Sequence, residues 1–476
     1  MDEEALLGID VGTTAVKVAA FAPDGRELAA HSVPYPIARP RPGWAEQDPE
    51  DWWHATETAL DTVLSGLPAG AVRAAGIVSQ VNTHLLVDRD LRPLTPAVIW
   101  QDQRCAELAA ELDARFTDED KKRIWGGPIV LDASFAGARA AWFARELPEL
   151  WSRARWMLSP KDFIGARLTG RVATDPLSGV RIAGASGYLP EAVALVDGLG
   201  DRLPELLAPE EPLGHAAVLG DAPVVVGTMD AFGAVFGTRT TEPGRAMVTC
   251  GTSLVVAAAS HRHESVRGLV TFPPRGDLVV HAGPTQAAGD AVRWWSRASG
   301  LSVPDVFASA ADGRPGVVFL PHLQGERAPL WDPDLRGSFL GLTSSTTTAD
   351  LSRAVLTGVA FSARHVLETV EEACGETLPS VTFSGGGARS DLWTQLHADA
   401  LSRPVERLRV HDSAALGAAL LGAVGADRYP DVKTAAAATV AVERTFTPDT
   451  DLTGLYEAYR AAHEGLARVH ERLARW

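Results

Sequence analysis

Leu6-Leu7-Gly8-Ile9-Asp10-Val11-Gly12-Thr13-Thr14-Ala15-Val16-Lys17-Val18-Ala19-Ala20-Phe21 is the stretch on which the fold turns. An apolar run reaches an acid, bends through a glycine and two hydroxyls, and resumes as a second apolar run. Short apolar runs bounded by turn residues read as buried strands. Strands are therefore expected at 6–10 and 15–21, and 27–35 extends them into a meander. The same grammar returns almost half a chain later. Met247-Val248-Thr249-Cys250 leads into Gly251-Thr252-Ser253 and then into the apolar run 254–259. Two such units suggest an internal duplication, with domains at 1–240 and 241–476.

Residues 44–66 carry a helix signal. Asp48 stands as N-cap, Pro49 at the first position, Glu50 and Asp51 in the first turn, and Gly66 past the end. Strands are expected at 74–81, 85–87 and 97–100, and helices from about 104 and over 134–145. Residues 175–223, rich in Gly and Pro, read as irregular. A buried strand at 224–227 runs through Thr228 and Met229 to Asp230 and a small-residue helix, 231–237. The second half continues with strand 278–281, helix 287–299, strand 317–320 and a long helix over about 350–374. That helix is capped by Thr347 or Thr348 and stopped by Gly375. Strand 381–383 enters a triple glycine, 385–387, and a helix starts after Ser390 and Asp391. Strand 405–410, helix 414–424 and an amphipathic helix, 455–476, close the chain. This alternation argues an α/β fold with partly parallel sheets.

Composition excludes several classes. The 476 residues carry 44 Lys and Arg against 60 Asp and Glu, a net charge of −16, which disfavours nucleic acid and anionic membranes as partners. The three cysteines, Cys105, Cys250 and Cys374, form neither a disulfide framework nor a zinc site. Residues 1–4 are acidic and lead straight into a strand, so no signal peptide is expected. No apolar stretch approaches the 18 residues or so of a membrane helix. A cytoplasmic protein is the expectation.

The sequence lacks G-x-x-x-x-G-K-[ST], G-x-S-x-G, H-E-x-x-H and C-x-x-C. Three Gly-rich turns remain, each after a strand. Gly12-Thr13-Thr14 and Gly251-Thr252-Ser253 offer N–H groups and hydroxyls to phosphate, with glycine permitting close backbone approach. Gly385-Gly386-Gly387-Ala388 opens a helix, whose N-terminus suits an anion or a polar base edge. Singly, each reads as a tight turn; in this order they point to a bound nucleotide. Asp10 and Asp230 are expected at strand ends, where α/β folds bind ligands. One such carboxylate can hold Mg²⁺ through water and the other can take a proton from an attacking hydroxyl.

These features resemble the FGGY family of carbohydrate kinases, which includes xylulokinase, glycerol kinase and gluconokinase. Leu7-Gly8-Ile9-Asp10-Val11-Gly12-Thr13-Thr14 is similar to the family's opening phosphate motif. Trp44-Ala45-Glu46-Gln47-Asp48-Pro49-Glu50-Asp51-Trp52-Trp53 is similar to its W-x-E-Q-D-P-x-x-W segment. Residues 97–104, Gly325-Glu326-Arg327-Ala328-Pro329 with Gly341-Leu342-Thr343, and Ser384-Gly385-Gly386-Gly387-Ala388-Arg389-Ser390 match further segments. The resemblance spans roughly residues 5–425 and lies nearest xylulokinase.

The resemblance implies two actin-like (ribonuclease-H-like) domains around a central cleft, the first binding sugar and the second ATP. It implies Asp230 as general base and Asp10 as the carboxylate on the Mg²⁺ side. ATP contacts are expected from Gly12, Thr13, Thr14, Lys17, Gly251, Thr252, Gly289, Arg293, Gly386, Gly387, Ala388 and Asp391. Gln80, Val81, Asn82, Trp100, Arg104 and Asp230 are expected at the sugar. The expected reaction moves phosphate from ATP to a primary hydroxyl of a small ketose, with a pentulose such as D-xylulose first. Kinases for glycerol, a tetrulose, erythritol or gluconate, and an actin-like ATP-driven binding module, are the alternatives. The expected partners are sugar and ATP, with a homodimer as the assembly to test. Two departures bear on the sugar. Gln80-Val81-Asn82-Thr83 replaces the Gln-Met-His-Gly typical of xylulokinases, and Ala231 replaces the usual Asn or Gln. His84, two residues beyond Asn82, is the candidate to compensate.

Overall fold

A computed structural model describes residues 4–474 except 128, 185, 273 and 277. Residues 1–3 of the acidic opening stretch, and 475–476 at the end of the expected last helix, lie outside the described residues. The chain folds into two compact units. The first comprises Met1–Thr241 with Ser413–Val440, and the second Glu242–Asp412 with Ala441–Trp476.

In the first unit Ala5–Val11, Ala15–Phe21 and Glu27–Pro34 form the expected antiparallel meander. The opening strand is almost wholly buried, which explains its unbroken apolar run. Its other edge pairs in parallel with Val72–Ser79. Beyond that lie Ala222–Val225, also parallel, and Pro212–Ala216. Pro212–Ala216 was expected as irregular. A proline and a glycine in five residues hide a strand, and both are tolerated because it lies at the sheet edge. Helix Pro49–Ser65 begins at Asp48, whose side chain accepts from Glu50 N, and packs on the meander.

The second unit repeats the plan. Ala246–Cys250 and Leu254–Ser260 form a hairpin, Val279–Pro284 adds to it antiparallel, and Val381–Ser384 and Val405–Leu408 follow in parallel on the other side. Val270–Thr271 and Val442–Phe446 close the two edges. The long helix Thr348–Cys374 carries a capping box between Thr347 and Asp350, stops at Gly375, and forms much of this core. In both units a strand hairpin has a third strand on one side and parallel strands on the other. This is the actin-like, ribonuclease-H-like sheet order.

The expected second domain, 241–476, differs in one respect. Helix Ser413–Gly425 packs in the first unit, against Ala5–Val11, Val72–Ser79 and helix Asp230–Gly237. Glycines face each other across these contacts. A Cβ on Gly8 would overlap the Ala415 carbonyl, and one on Gly76 the Ala418 carbonyl. The helix is apolar on nearly every side, so it needs burial all round, and this position supplies it.

Candidate functional site

The central strand of the first sheet, Val72–Ser79, orders the site. Val11 on one neighbour and Met229 on the other are both in register with Ser79. Asp10 and Asp230 therefore emerge at the same, C-terminal end of parallel strands, on strands separated by about two spacings, or ~10 Å. Asp230 begins helix Asp230–Gly237 rather than ending a strand, and its Oδ1 accepts the Ala231 N–H at 2.7 Å. Lys17 lies opposite Asp10 in the hairpin register, on the strand rather than in the turn.

The Gly12-Thr13-Thr14 turn is braced from several sides. Gln47 Nε2 donates to the Thr13 carbonyl at 2.6 Å, and Gln80 Nε2 to the Gly12 carbonyl at 3.3 Å. Gln47 Oε1 accepts from Trp52 Nε1 at 3.1 Å and from Gln80 Nε2 at 2.7 Å. The Tyr35 hydroxyl also donates to the Gly12 carbonyl. Burial first, and the charge of Asp10 second, push the Tyr35 phenol above its ordinary range, so it stays a neutral donor. Trp100 Nε1 donates to Thr13 Oγ1 at 3.0 Å. Gln80 and Trp100, expected at the sugar, thus reach the phosphate-type turn. Tyr35, Gln47 and Trp52 were not singled out. The signal for two of them was already present in the W-x-E-Q-D-P-x-x-W segment.

Val81 is half-buried beside Asn82, where the chain bends with φ 51°. Asn82 Nδ2 donates to Ser134 Oγ at 3.2 Å, and Ser134 Oγ to Asp132 Oδ1 at 2.6 Å. Arg181 closes the group, 3.1 Å from both Asp132 Oδ2 and Ser134 Oγ. Burial opposes the charge on Asp132, yet Arg181 and Ser134 hold its carboxyl below the usual range. Because the chain turns at Asn82, strand alternation does not carry His84 to the same face. Loss of hydration, with the charges of Arg139 and Arg181, pushes His84 down to about 3, so it stays neutral. Arg104 is taken up locally. It grips Asp102 through Nε and Nη2 at 2.9 and 2.8 Å, reaches Glu46 at 2.7 Å, and lies 3.7 Å over the Trp44 ring. A cavity of about 330 Å³ opens beside it, walled by Trp44, Pro96, Trp142 and Phe143.

In the second unit the Gly251-Thr252-Ser253 turn meets the start of helix Gly289–Ser299. The N–H groups of Gly289 and Asp290 donate to the carbonyls of Gly251 and Thr252 at 3.0 and 3.1 Å. Arg293 Nη2 donates to Thr252 Oγ1 at 3.1 Å and pairs with Asp290 at 2.6 Å. Gly385, at φ 86°, and Gly387 pack against Cys250, where a Cβ would lie 2.6 Å from its carbonyl oxygen and 2.7 Å from its Sγ respectively. This brings the triple glycine beside the Gly-Thr turn. Gly386 faces open space, and Ala388 is buried. Asp391 is less available. Arg407 holds its Oδ1, and Arg444 its Oδ2 at 2.8 Å. Glu326, in the 325–329 segment, accepts the N–H groups of Gln286 and Arg327 at 2.6 and 2.9 Å and contacts His322 Nδ1 at 2.8 Å. The segment thereby fixes the approach to helix Gly289–Ser299.

Among the described residues no group of three or more His, Cys, Asp or Glu is placed to hold a metal, and no helix is long and apolar enough to cross a membrane. Sequence models described as the N- and C-terminal domains of the FGGY family of carbohydrate kinases match residues 5–237 and 246–426. The chain is 31% identical to the xylulose kinase of Escherichia coli (strain K12), over 98% of this chain and 99% of that one. It is 29% identical to the glycerol kinase of Citrifermentans bemidjiense, over 96% and 97%. A solved structure described as a "xyloylose kinase" from Brucella ovis superposes with a TM-score of 0.85 at 30% identity, covering 99% of each chain.

Proposed function

The chain belongs to the FGGY family of carbohydrate kinases and is an ATP-dependent sugar kinase, and from that premise we propose that its acceptor is a primary hydroxyl of a small ketose, a pentulose such as D-xylulose. Asp230 takes the proton of the attacking hydroxyl as its oxygen bonds to the γ-phosphorus and ADP leaves. One observation carries this reading. Asp10 and Asp230 leave strands that flank the same neighbour, at the same sheet end, beside a Gly-Thr turn whose Gly12 and Thr13 carbonyls are already bonded. Carbonyls drawn back in this way do not repel phosphate oxygens.

Within the second unit, Gly251, Thr252, Gly289 and Arg293 are the proposed phosphate contacts. Gly386, Gly387 and Ala388 are the proposed adenosine segment, in which Gly386 faces open space that suits an aromatic base while Gly387 and Ala388 are buried beneath it. Asp391 stays in this set as an exposed carboxylate whose charge Arg407 and Arg444 offset. Mg²⁺ is the cation that this reading implies: a hard ion takes oxygen donors, and the Asp10 carboxylate would hold it through water. When bound it neutralises charge on the transferred group. Asn82 offers the sugar site its side-chain oxygen and the amide hydrogen that is not bonded to Ser134.

A coupled ADP-release screen over ketopentoses, tetruloses, glycerol, erythritol and gluconate tests the acceptor. D-xylulose should give the highest kcat/KM; a polyol or aldonate that outruns every ketopentose overturns the assignment. Asp230→Ala should lower turnover on the order of 10²–10⁴-fold with little change in KM for ATP.

A further inference from the structure

We infer that Lys161 and Asp175 are positioning residues for Asp230, acting through the hydroxyl of Thr228. The inference rests on Asp230 being the base, and it gives a role to a buried ion cluster outside the site described so far.

Lys161 lies wholly buried in the first turn of helix Pro160–Thr169. Its Nζ is 2.6 Å from Asp162 Oδ1 and 3.1 Å from Asp175 Oδ1. Burial penalises the ammonium, and the two carboxylates outweigh that, so its pKa stands above the ordinary lysine value. Asp162 has a local reason to be there. Its Oδ2 accepts from Ser159 N and Oγ and closes the capping box of the helix. Asp175 has no such local duty to the helix. Two carboxylates on one buried ammonium are costly unless each is fully bonded, and the bonds made by Asp175 show what it holds.

Asp175 Oδ2 accepts the N–H groups of Leu177 and Ser178 at 3.1 and 3.2 Å, which shapes its own turn, and the Thr228 hydroxyl at 2.8 Å. Thr228 is buried and stands two residues before Asp230, in a strand of only two residues, Thr228–Met229. Immediately upstream Gly227 breaks the sheet strand with φ 73°. The segment that delivers Asp230 is thus short and cut off from Ala222–Val225. Two register positions on Val72–Ser79 hold it by backbone, and Asp175 holds it by side chain. The contacts Lys161–Asp175–Thr228 run from a helix to the doorstep of the base. Placement is what such a base needs, because a shift of about 1 Å at a reacting group costs on the order of 10²-fold in rate.

Thr228→Val keeps the shape of the side chain and removes the hydroxyl; Thr228→Ser keeps the hydroxyl. Thr228→Val should lower kcat roughly 10–100-fold with KM for ATP unchanged, and Thr228→Ser should restore most of it. Should Thr228→Val give no soluble protein, Asp175→Asn reads the same role, and kcat falling at constant KM for ATP is again the expected result. Asp230→Ala, assayed alongside, separates the two levels. If Asp230→Ala is inactive while Thr228→Val or Asp175→Asn keeps the parent kcat, the positioning role is overturned and the base stands. If Thr228→Val loses ATP affinity together with kcat, or Thr228→Ser fails to restore turnover, the effect is general loosening and the positioning role is again overturned. If Asp230→Ala turns over normally, the base assignment itself fails, and with it this inference.

Discussion

Gln47 illustrates how one side chain can set a binding turn. Its amide donates to the Thr13 carbonyl and accepts from Trp52 and Gln80, so three polar groups depend on it. Leucine fills similar space but leaves those groups unbonded, a cost of about 1–3 kcal/mol for a buried polar group. Gln47→Leu should therefore lower the melting temperature and raise KM for ATP, with KM for the sugar the less affected; steady-state kinetics in both substrates checks this, and an unchanged KM for ATP would detach the brace from the nucleotide. The Gly-Thr turns and the strand that carries Asp10 were legible in the chain because both are local patterns. The brace was not. Thr13, Gln47, Gln80 and Trp100 are far apart in sequence, and nothing local in any of them says which bonds which. The same holds for Arg104, expected at the sugar and held in the fold by Glu46 and Asp102.

At the scale of elements, the C-terminal helix Thr453–Leu473 brings a pH dependence with it. His463 and His470 on this helix are buried. The His463 ring lies 4.9 Å from that of His322 and 5.7 Å from that of His365 on helix Thr348–Cys374. Tyr459 and Arg460 of its own helix and Glu326 beside His322 complete the surroundings. Burial first, and the neighbouring histidines and Arg460 next, push His463 down to about 2 and His365 to about 3. The folded chain therefore leaves these imidazoles neutral, while the unfolded chain protonates them below about pH 6.5. The unfolded state then binds more protons, so stability falls as pH drops, by up to about 1.4 kcal/mol per pH unit for each histidine. Calorimetry at about pH 7.5 and 5.5 should show the melting temperature falling on acidification, and the fall should shrink in His463→Phe. An equal fall in that variant would remove the cluster from the account. Most elements were expected where they lie, the meander and the long capped helix among them. Pro212–Ala216 was not, because edge strands tolerate the residues that otherwise mark loops.

At the scale of the whole molecule, the chain crosses between its units more than once, since Ser413–Val440 belongs to the first and Ala441–Trp476 to the second. Residues 1–241 alone lack helix Ser413–Gly425. Without it Gly8, Gly76, Gly233 and Gly237 face water in place of a packed backbone, together with the apolar side chains around them. That fragment should aggregate or melt without cooperativity, and joining residues 413–440 to it through a flexible linker should restore a cooperative transition; a fragment that melts cooperatively by itself would deny the helix this role. Local pattern was enough for the α/β class, the two repeated hairpins and the Gly-rich turns, because these depend on residues within a few places of each other. The packing of helix Ser413–Gly425 on the first sheet, the bracing of a turn by Gln80 and Trp100, and the reach of Asp175 to Thr228 came with the fold alone. Each of those is a pairing between distant residues. Distant pairings follow from how faces close on one another, and a linear pattern states only that a face is apolar or polar, not which partner will cover it.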